Sequence, residues 1–297
     1  MSIIMLSNMY VPNAMCHSEA KSMKTYWRSV VVRDAKQNIM KKGRVNRIIL
    51  LLITVLHGYS IGHAQKTYIV AVGLNHYQPD GSCIDLPCSV GDAFAISKFF
   101  NNTHNSDVFM LKNRNATRAH ILKILKKQFA KATEKDQIIF AYSGHGFDGG
   151  ISCYDNDGRG NTNIIFCSEI QDILRSSKAR RKLMFINSCH SGSFAKKYSN
   201  DSRCRNFKPN SSDVMLYMSS RANEYSWEAE AMEKSFFFNR FIEGLSGKSD
   251  ANGDRKITAR ELFNYVNQKV ISDTGGRQHP QMYGRFSDDM VIVNLNR

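Results

Sequence analysis

A cysteine and a histidine, the two residue types that make a thiol nucleophile and its proton-transfer partner, each follow an apolar run that stops in small residues. Residues 138–142 lead into Ser143-Gly144-His145-Gly146, and residues 183–186 lead into Asn187-Ser188-Cys189-His190-Ser191-Gly192. Short apolar runs bounded this way read as buried strands. In an open parallel sheet the C-terminal strand ends form the ligand-binding edge. A free thiol is only a few per cent thiolate at neutral pH, and a nearby imidazole raises that fraction. Cys189 is therefore the candidate nucleophile, and His145 the group that takes its proton and returns it to a leaving amine. The backbone N–H groups of Gly146 and Cys189 are the candidate oxyanion donors. His190 is a rival base by proximity, but successive residues at a strand end point to opposite sides.

These two strand ends need a scaffold, and the chain supplies one by alternation. Residues 67–73 form a β-branched buried strand, and residues 75–87 a loop. Val90, Ala93, Phe94, Ile96 and Phe100 recur at helical spacing behind Ser89, an N-cap residue type. A strand at 107–111 precedes a helix capped by Thr117. That helix turns Ile121, Leu122, Leu125 and Phe129 inward and Lys123, Lys126, Lys127 and Lys131 to solvent. A helix at 168–174, a strand at 214–218, a helix at 236–245 and a last strand at 290–295 complete the pattern. Strands alternating with helices predict a parallel sheet covered on both faces.

Tyr142-Ser143-Gly144-His145-Gly146 and Asn187-Ser188-Cys189-His190-Ser191-Gly192 resemble the paired motifs of caspase-like cysteine peptidases, in particular metacaspases and their bacterial relatives. The resemblance runs from Lys66 to the C-terminus, and the stretch from Leu86 to Ala93 is similar to the start of the first metacaspase helix. It implies a three-layer α/β/α caspase-like fold, a mostly parallel sheet of about six strands with the last antiparallel. It also implies hydrolysis of peptide bonds through a Cys-His dyad and an acyl-enzyme, with a polypeptide substrate and no cofactor for the chemistry. Two other functions use the same features: a catalytically silent caspase-shaped interaction module, and a thiol acyltransferase on the same dyad.

For specificity, metacaspases carry an aspartate two residues before the nucleophile, where it binds a basic side chain. Here that residue is Asn187, whose amide offers dipoles without charge. Asp148 could supply a carboxylate, which leans the preference weakly to a basic residue. Arg221 follows the strand at 214–218, where caspases place an arginine that lines the cleft; pointing inward, it would favour an acidic residue instead. The basic segment 194–213 lies where family members are often cut between their large and small parts.

Asp250, Asn252, Asp254, Thr258 and Glu261 stand at spacing that resembles a calcium-binding EF-hand loop, with Arg255 where glycine is expected. The alternative is an Asx-rich turn in which Thr258 caps the next helix.

The chain's net charge is +15, but residues 65–297 carry 32 Lys and Arg against 24 Asp and Glu. No helix bears a basic stripe interleaved with aromatics, which argues against a nucleic-acid partner. The seven cysteines form no CxxC and no Cys/His metal spacing. Cys83 with Cys88, and Cys153 with Cys167, are near enough in sequence to bridge, and free thiols are the equal alternative. Residues 40–64 have a basic start, an apolar run and a small-residue end, the layout of a signal peptide cleaved after Ala64. The run is shorter than the roughly 20 residues of a membrane span. The expected organisation is an upstream extension over 1–39, a signal peptide over 40–64 and an exported peptidase domain, periplasmic or extracellular, over 65–297.

Overall fold

The computed structural model describes residues 65–79, 83–103, 105–147, 149–157, 162–189, 191, 214–229, 233–284 and 286–296. The expectations for 1–64, Asp148, His190 and the segment 194–213 lie outside these residues. These residues belong to one compact unit.

Strand β1 (Thr67–Gly73) is buried throughout and is followed by helix α1 (Ser89–Thr103). The start of α1 differs from expectation: the Val90 amide donates to Asn75 Oδ1 at 2.6 Å, so the loop behind β1 serves this first-turn donor. Strand β2 (Ser106–Lys112) and helix α2 (Arg118–Phe129) follow, with Thr117 capping α2 through the His120 amide. Then come β3 (Gln137–Ser143), the short strands β4 (Gly146–Phe147), β5 (Gly150–Ser152) and β6 (Ile164–Phe166), helix α3 (Cys167–Ser176) and β7 (Arg181–Asn187). Beyond β8 (Val214–Met218) lie a small hairpin, β9 (Glu228–Ala229) and β10 (Lys234–Ser235), and helix α4 (Phe236–Glu243). The chain finishes with β11 (Lys256–Thr258), α5 (Ala259–Asp273), β12 (Gln281–Tyr283) and β13 (Val291–Asn294).

Six strands form the main sheet in the order β12-β8-β7-β3-β1-β2, with every pairing parallel except β12 with β8. Alternate residues divide between two cores, as a pleated strand requires. Val70, Phe140, Met184 and Leu216 face one side with Ile121, Leu125 and Ile170 of α2 and α3. Ile69, Ile139, Phe185 and Tyr217 face the other with residues of α1, α4 and α5, including Phe100, Phe241 and Val266. The result is the expected three-layer α/β/α sandwich.

Two element-level expectations are corrected. The residues at 290–295 do not join the main sheet: β13 pairs with β11 in a separate ribbon, and the antiparallel sixth strand is β12. Three half-buried residues at a sheet edge leave no apolar run to read. Phe94 is 58% exposed, outside the core that Ala93 and Ile96 enter.

Candidate active site

Strands β3 and β7 lie side by side in parallel, and their last residues, Ser143 and Asn187, are register partners. The Gly144 amide donates to the Asn187 carbonyl at 3.2 Å, which carries the pairing one step past the ladder. His145 and Cys189 therefore each stand two residues beyond a matched pair, on adjoining strands at one edge. Gly146 seals this junction. A Cβ placed there would lie 2.5 Å from both the Cys189 carbonyl oxygen and Ser188 Oγ, so only glycine lets the two turns approach this closely.

His145 is held through both its ring and its backbone. Its ring packs at 4.9 Å between centroids against Tyr77, whose hydroxyl accepts from the His145 amide at 2.7 Å. Tyr142 Oη reaches the His145 carbonyl at 2.8 Å. Nε2 lies 2.7 Å from the Ile84 carbonyl oxygen. A carbonyl can only accept, so Nε2 carries the proton and the neutral ring keeps its lone pair on Nδ1. Burial pushes the His145 pKa below the ordinary histidine value, against an opposing contribution from the Ile84 hydrogen bond. The group is thus neutral and basic near pH 7.

Cys189 is half-buried in the turn after β7, and none of the five described cysteines forms a disulfide. Hydroxyls from the segment after β8 fix that turn. Ser226 Oγ donates to the Ser188 carbonyl at 2.9 Å, and the Ser188 amide donates to Ser219 Oγ at 3.2 Å. Gln278, fully buried, holds this segment in turn: its amide takes the Trp227 N–H and reaches the Ser219 carbonyl, both at 2.8 Å.

Below the strand ends lies Asp92 of α1, fully buried. Its Oδ2 accepts from Ser143 Oγ at 2.7 Å and from Asn187 Nδ2 at 3.0 Å, while Oδ1 accepts from the Ser235 amide at 2.9 Å. Desolvation raises its pKa to about 6 despite these bonds. Asn187 keeps its Oδ1 buried and unpartnered, as does Ser188 its Oγ.

Sequence reasoning missed Tyr77, Ile84, Asp92, Gln278 and the serines. Asp92 alone left a trace, a carboxylate beside Ala93 on a helix turned to the core. A backbone carbonyl acting on an imidazole leaves none. The structure joins Gly146, Asn187 and Cys189 at one junction with the His145 backbone. Arg221, by contrast, is exposed, and its guanidinium lies 3.5 Å from Glu224, which also pairs with His279 at 2.8 Å.

The acidic loop folds on itself. Asp250 accepts from the amides of Gly253 and Arg255 at 2.9 and 3.0 Å, and Asn252 Oδ1 accepts from the Asp254 amide at 2.9 Å. Arg255 adopts φ 62°, the left-handed conformation that glycine adopts freely. Thr258 and Glu261 form a capping box at the start of α5. Among the described residues no group of three or more His, Cys, Asp or Glu is placed to hold a metal ion, and no helix is long and apolar enough to cross a membrane.

Solved structures with this architecture include a structural-genomics protein from Geobacter sulfurreducens, 17% identical, covering 75% of this chain and 95% of its own with a TM-score of 0.55. Caspase-1 from Spodoptera frugiperda is 18% identical, covering 80% of this chain and 93% of its own with a TM-score of 0.58. These likenesses concern the fold. No curated protein matches the sequence. The caspase domain of the C14 peptidases matches residues 66–291, and with three-quarters of its length so matched, this chain belongs to the caspase-domain family.

Proposed function

We propose that the protein is a cysteine endopeptidase in which Cys189 attacks the scissile carbonyl and His145 moves the proton. The observation that carries this is the parallel junction of β3 and β7, where Gly144 bonds to Asn187 and Gly146 packs on Ser188 and Cys189. The thiol proton passes to His145 Nδ1 as Sγ bonds to the carbonyl carbon. The same proton then goes to the departing amine, leaving an acyl-enzyme that water hydrolyses. The amides of Gly146 and Cys189 are the proposed donors to the oxyanion.

A basic residue before the scissile bond is the preferred substrate. The orphan Oδ1 of Asn187 needs a donor, and the Asp92 carboxylate bonded to Nδ2 of the same amide supplies negative charge. Arg221, exposed and facing Glu224, gives no support to the acidic alternative. A Ca²⁺ role for Asp250, Asn252, Asp254, Thr258 and Glu261 rests on the loop's sequence alone; titration calorimetry without Ca²⁺-dependent heat would remove it.

The decisive experiment is labelling with a thiol-reactive peptide inhibitor ending in arginine, on wild type beside Cys189→Ala. Label on the wild type alone supports the assignment, and no label on either leaves a silent interaction module. Labelling accompanied by amine incorporation in place of hydrolysis indicates an acyltransferase.

A further inference from the structure

The Ser188 carbonyl and the Cys189 N–H belong to one peptide unit, which is planar and trans, so the two groups point in opposite directions. Whatever fixes the carbonyl therefore fixes the line along which the N–H donates. Four described donors surround that carbonyl oxygen. The Ser191 amide lies at 3.2 Å and Ser226 Oγ at 2.9 Å, with Ser219 Oγ at 3.3 Å and Ser220 Oγ at 3.4 Å. On the other side of the same unit, the Cys189 N–H meets no acceptor among the described residues.

Counting hydrogens orders these contacts. A carbonyl oxygen has two lone pairs; the Ser191 amide takes one, and Ser226, the shortest of the hydroxyl contacts, takes the other. Ser226 has then used its single hydrogen, so in its contact with Ser219 it is Ser219 that donates. Ser219 Oγ in turn accepts from the Ser188 amide at 3.2 Å. The circuit closes on one residue: the Ser188 N–H to Ser219, Ser219 to Ser226, and Ser226 to the Ser188 carbonyl.

Each bond in such a chain polarises the next. Charge drawn onto the carbonyl oxygen raises the double-bond character of the adjoining C–N bond and leaves the Cys189 N–H more positive. The Ser188 side chain takes no part, since its Oγ is buried without a partner. Both hydroxyls of the circuit come from the segment after β8, and Gln278 fixes that segment near both ends, through the Ser219 carbonyl and the Trp227 amide. Ser226 bonds to Ser188 and Ser219 and to neither the Cys189 thiol nor the His145 ring.

We infer that Ser226 is a positioning residue for hydrolysis, its hydroxyl aiming and strengthening the Cys189 N–H that receives the oxyanion. This rests on the peptidase assignment and adds to it a group that acts on the developing negative charge, not on the thiol or its base. Ser226 is half-buried and lies outside both cores, so its hydroxyl can be removed without opening a cavity in either.

Ser226→Ala tests this in the full chain, with Ser226→Thr as the variant that keeps the hydroxyl. Ser226→Ala should lower kcat about three- to tenfold, the worth of one hydrogen bond, and leave KM within about twofold. A peptide aldehyde built on the assayed substrate reads the oxyanion directly: Sγ adds to its carbonyl carbon, and the oxygen of the tetrahedral product occupies the oxyanion position. Its inhibition constant should weaken by the same factor as kcat. Alkylation of Cys189 by iodoacetamide forms no oxyanion and should run at the wild-type rate. Ser226→Thr should restore both kcat and aldehyde binding. An unchanged kcat, a loss confined to KM, aldehyde binding that does not follow kcat, alkylation slowed as much as hydrolysis, or a Ser226→Thr enzyme as slow as Ser226→Ala would each overturn the role of Ser226 alone. A wild type that neither hydrolyses peptide nor binds the aldehyde would overturn the peptidase assignment, and this role with it.

Discussion

The proton on Nε2 of His145 is set by a carbonyl oxygen, that of Ile84, and burial holds the ring neutral. Two pH dependences follow, and they oppose each other. His145 has a folded pKa below its unfolded value of about 6.5. The unfolded chain therefore binds more protons as pH falls through that value, and His145 destabilises the fold on acidification. Hydrolysis should fall at lower pH, as the folded ring is protonated through its depressed pKa and the base is lost, which a pH profile of kcat/KM with an Arg-containing fluorogenic peptide will check. Asp92 has a folded pKa of about 6 against an ordinary carboxyl value of 3.8, so its contribution to stability declines as pH rises through that interval. The decline is on the order of 3 kcal/mol. Denaturant unfolding between pH 4 and pH 7 should show that Asp92→Asn loses this decline; an unchanged pH slope would contradict the buried, desolvated carboxylate.

At the scale of elements, catalytic geometry depends on how closely the turns after β3 and β7 meet. Gly146→Ala forces a methyl against the Cys189 carbonyl and Ser188. Misplacement by about 1 Å can cost on the order of 10²-fold in rate. A fall of that size in kcat, with the fold retained by circular dichroism, is the expected outcome. The capping box at α5 is separate from the chemistry. Thr258→Ala should cost about 1 kcal/mol, lowering Tm by about 2–4 °C for a domain of this size while activity persists. Thr258 as a cap, and the buried faces of α2 and the central strands, were legible because period and cap chemistry are local. Strand β12 was missed and Phe94 misread because edge pairing and the width of a helix's buried face depend on neighbours distant in sequence.

For the whole molecule, export remains a proposal drawn from residues 40–64. Mass spectrometry of the native protein is expected to find Gln65 at its N-terminus; an intact peptide from residues 1–39 in the mature protein would defeat the signal-peptide assignment. Self-cleavage in 194–213 is likewise proposed: two fragments should appear in wild type and not in Cys189→Ala. The alternation of the central strands with helices, the burial of the sheet on both faces and the delivery of His145 and Cys189 to strand ends were determined by sequence alone, because hydrophobic period and small-residue stops act over a few neighbouring residues. The partners of those groups were decided only by folding. Ile84, Asp92, Ser226 and Gln278 reach the site from separate loops and helices, and whether a carbonyl, carboxylate or hydroxyl meets its counterpart depends on tertiary packing.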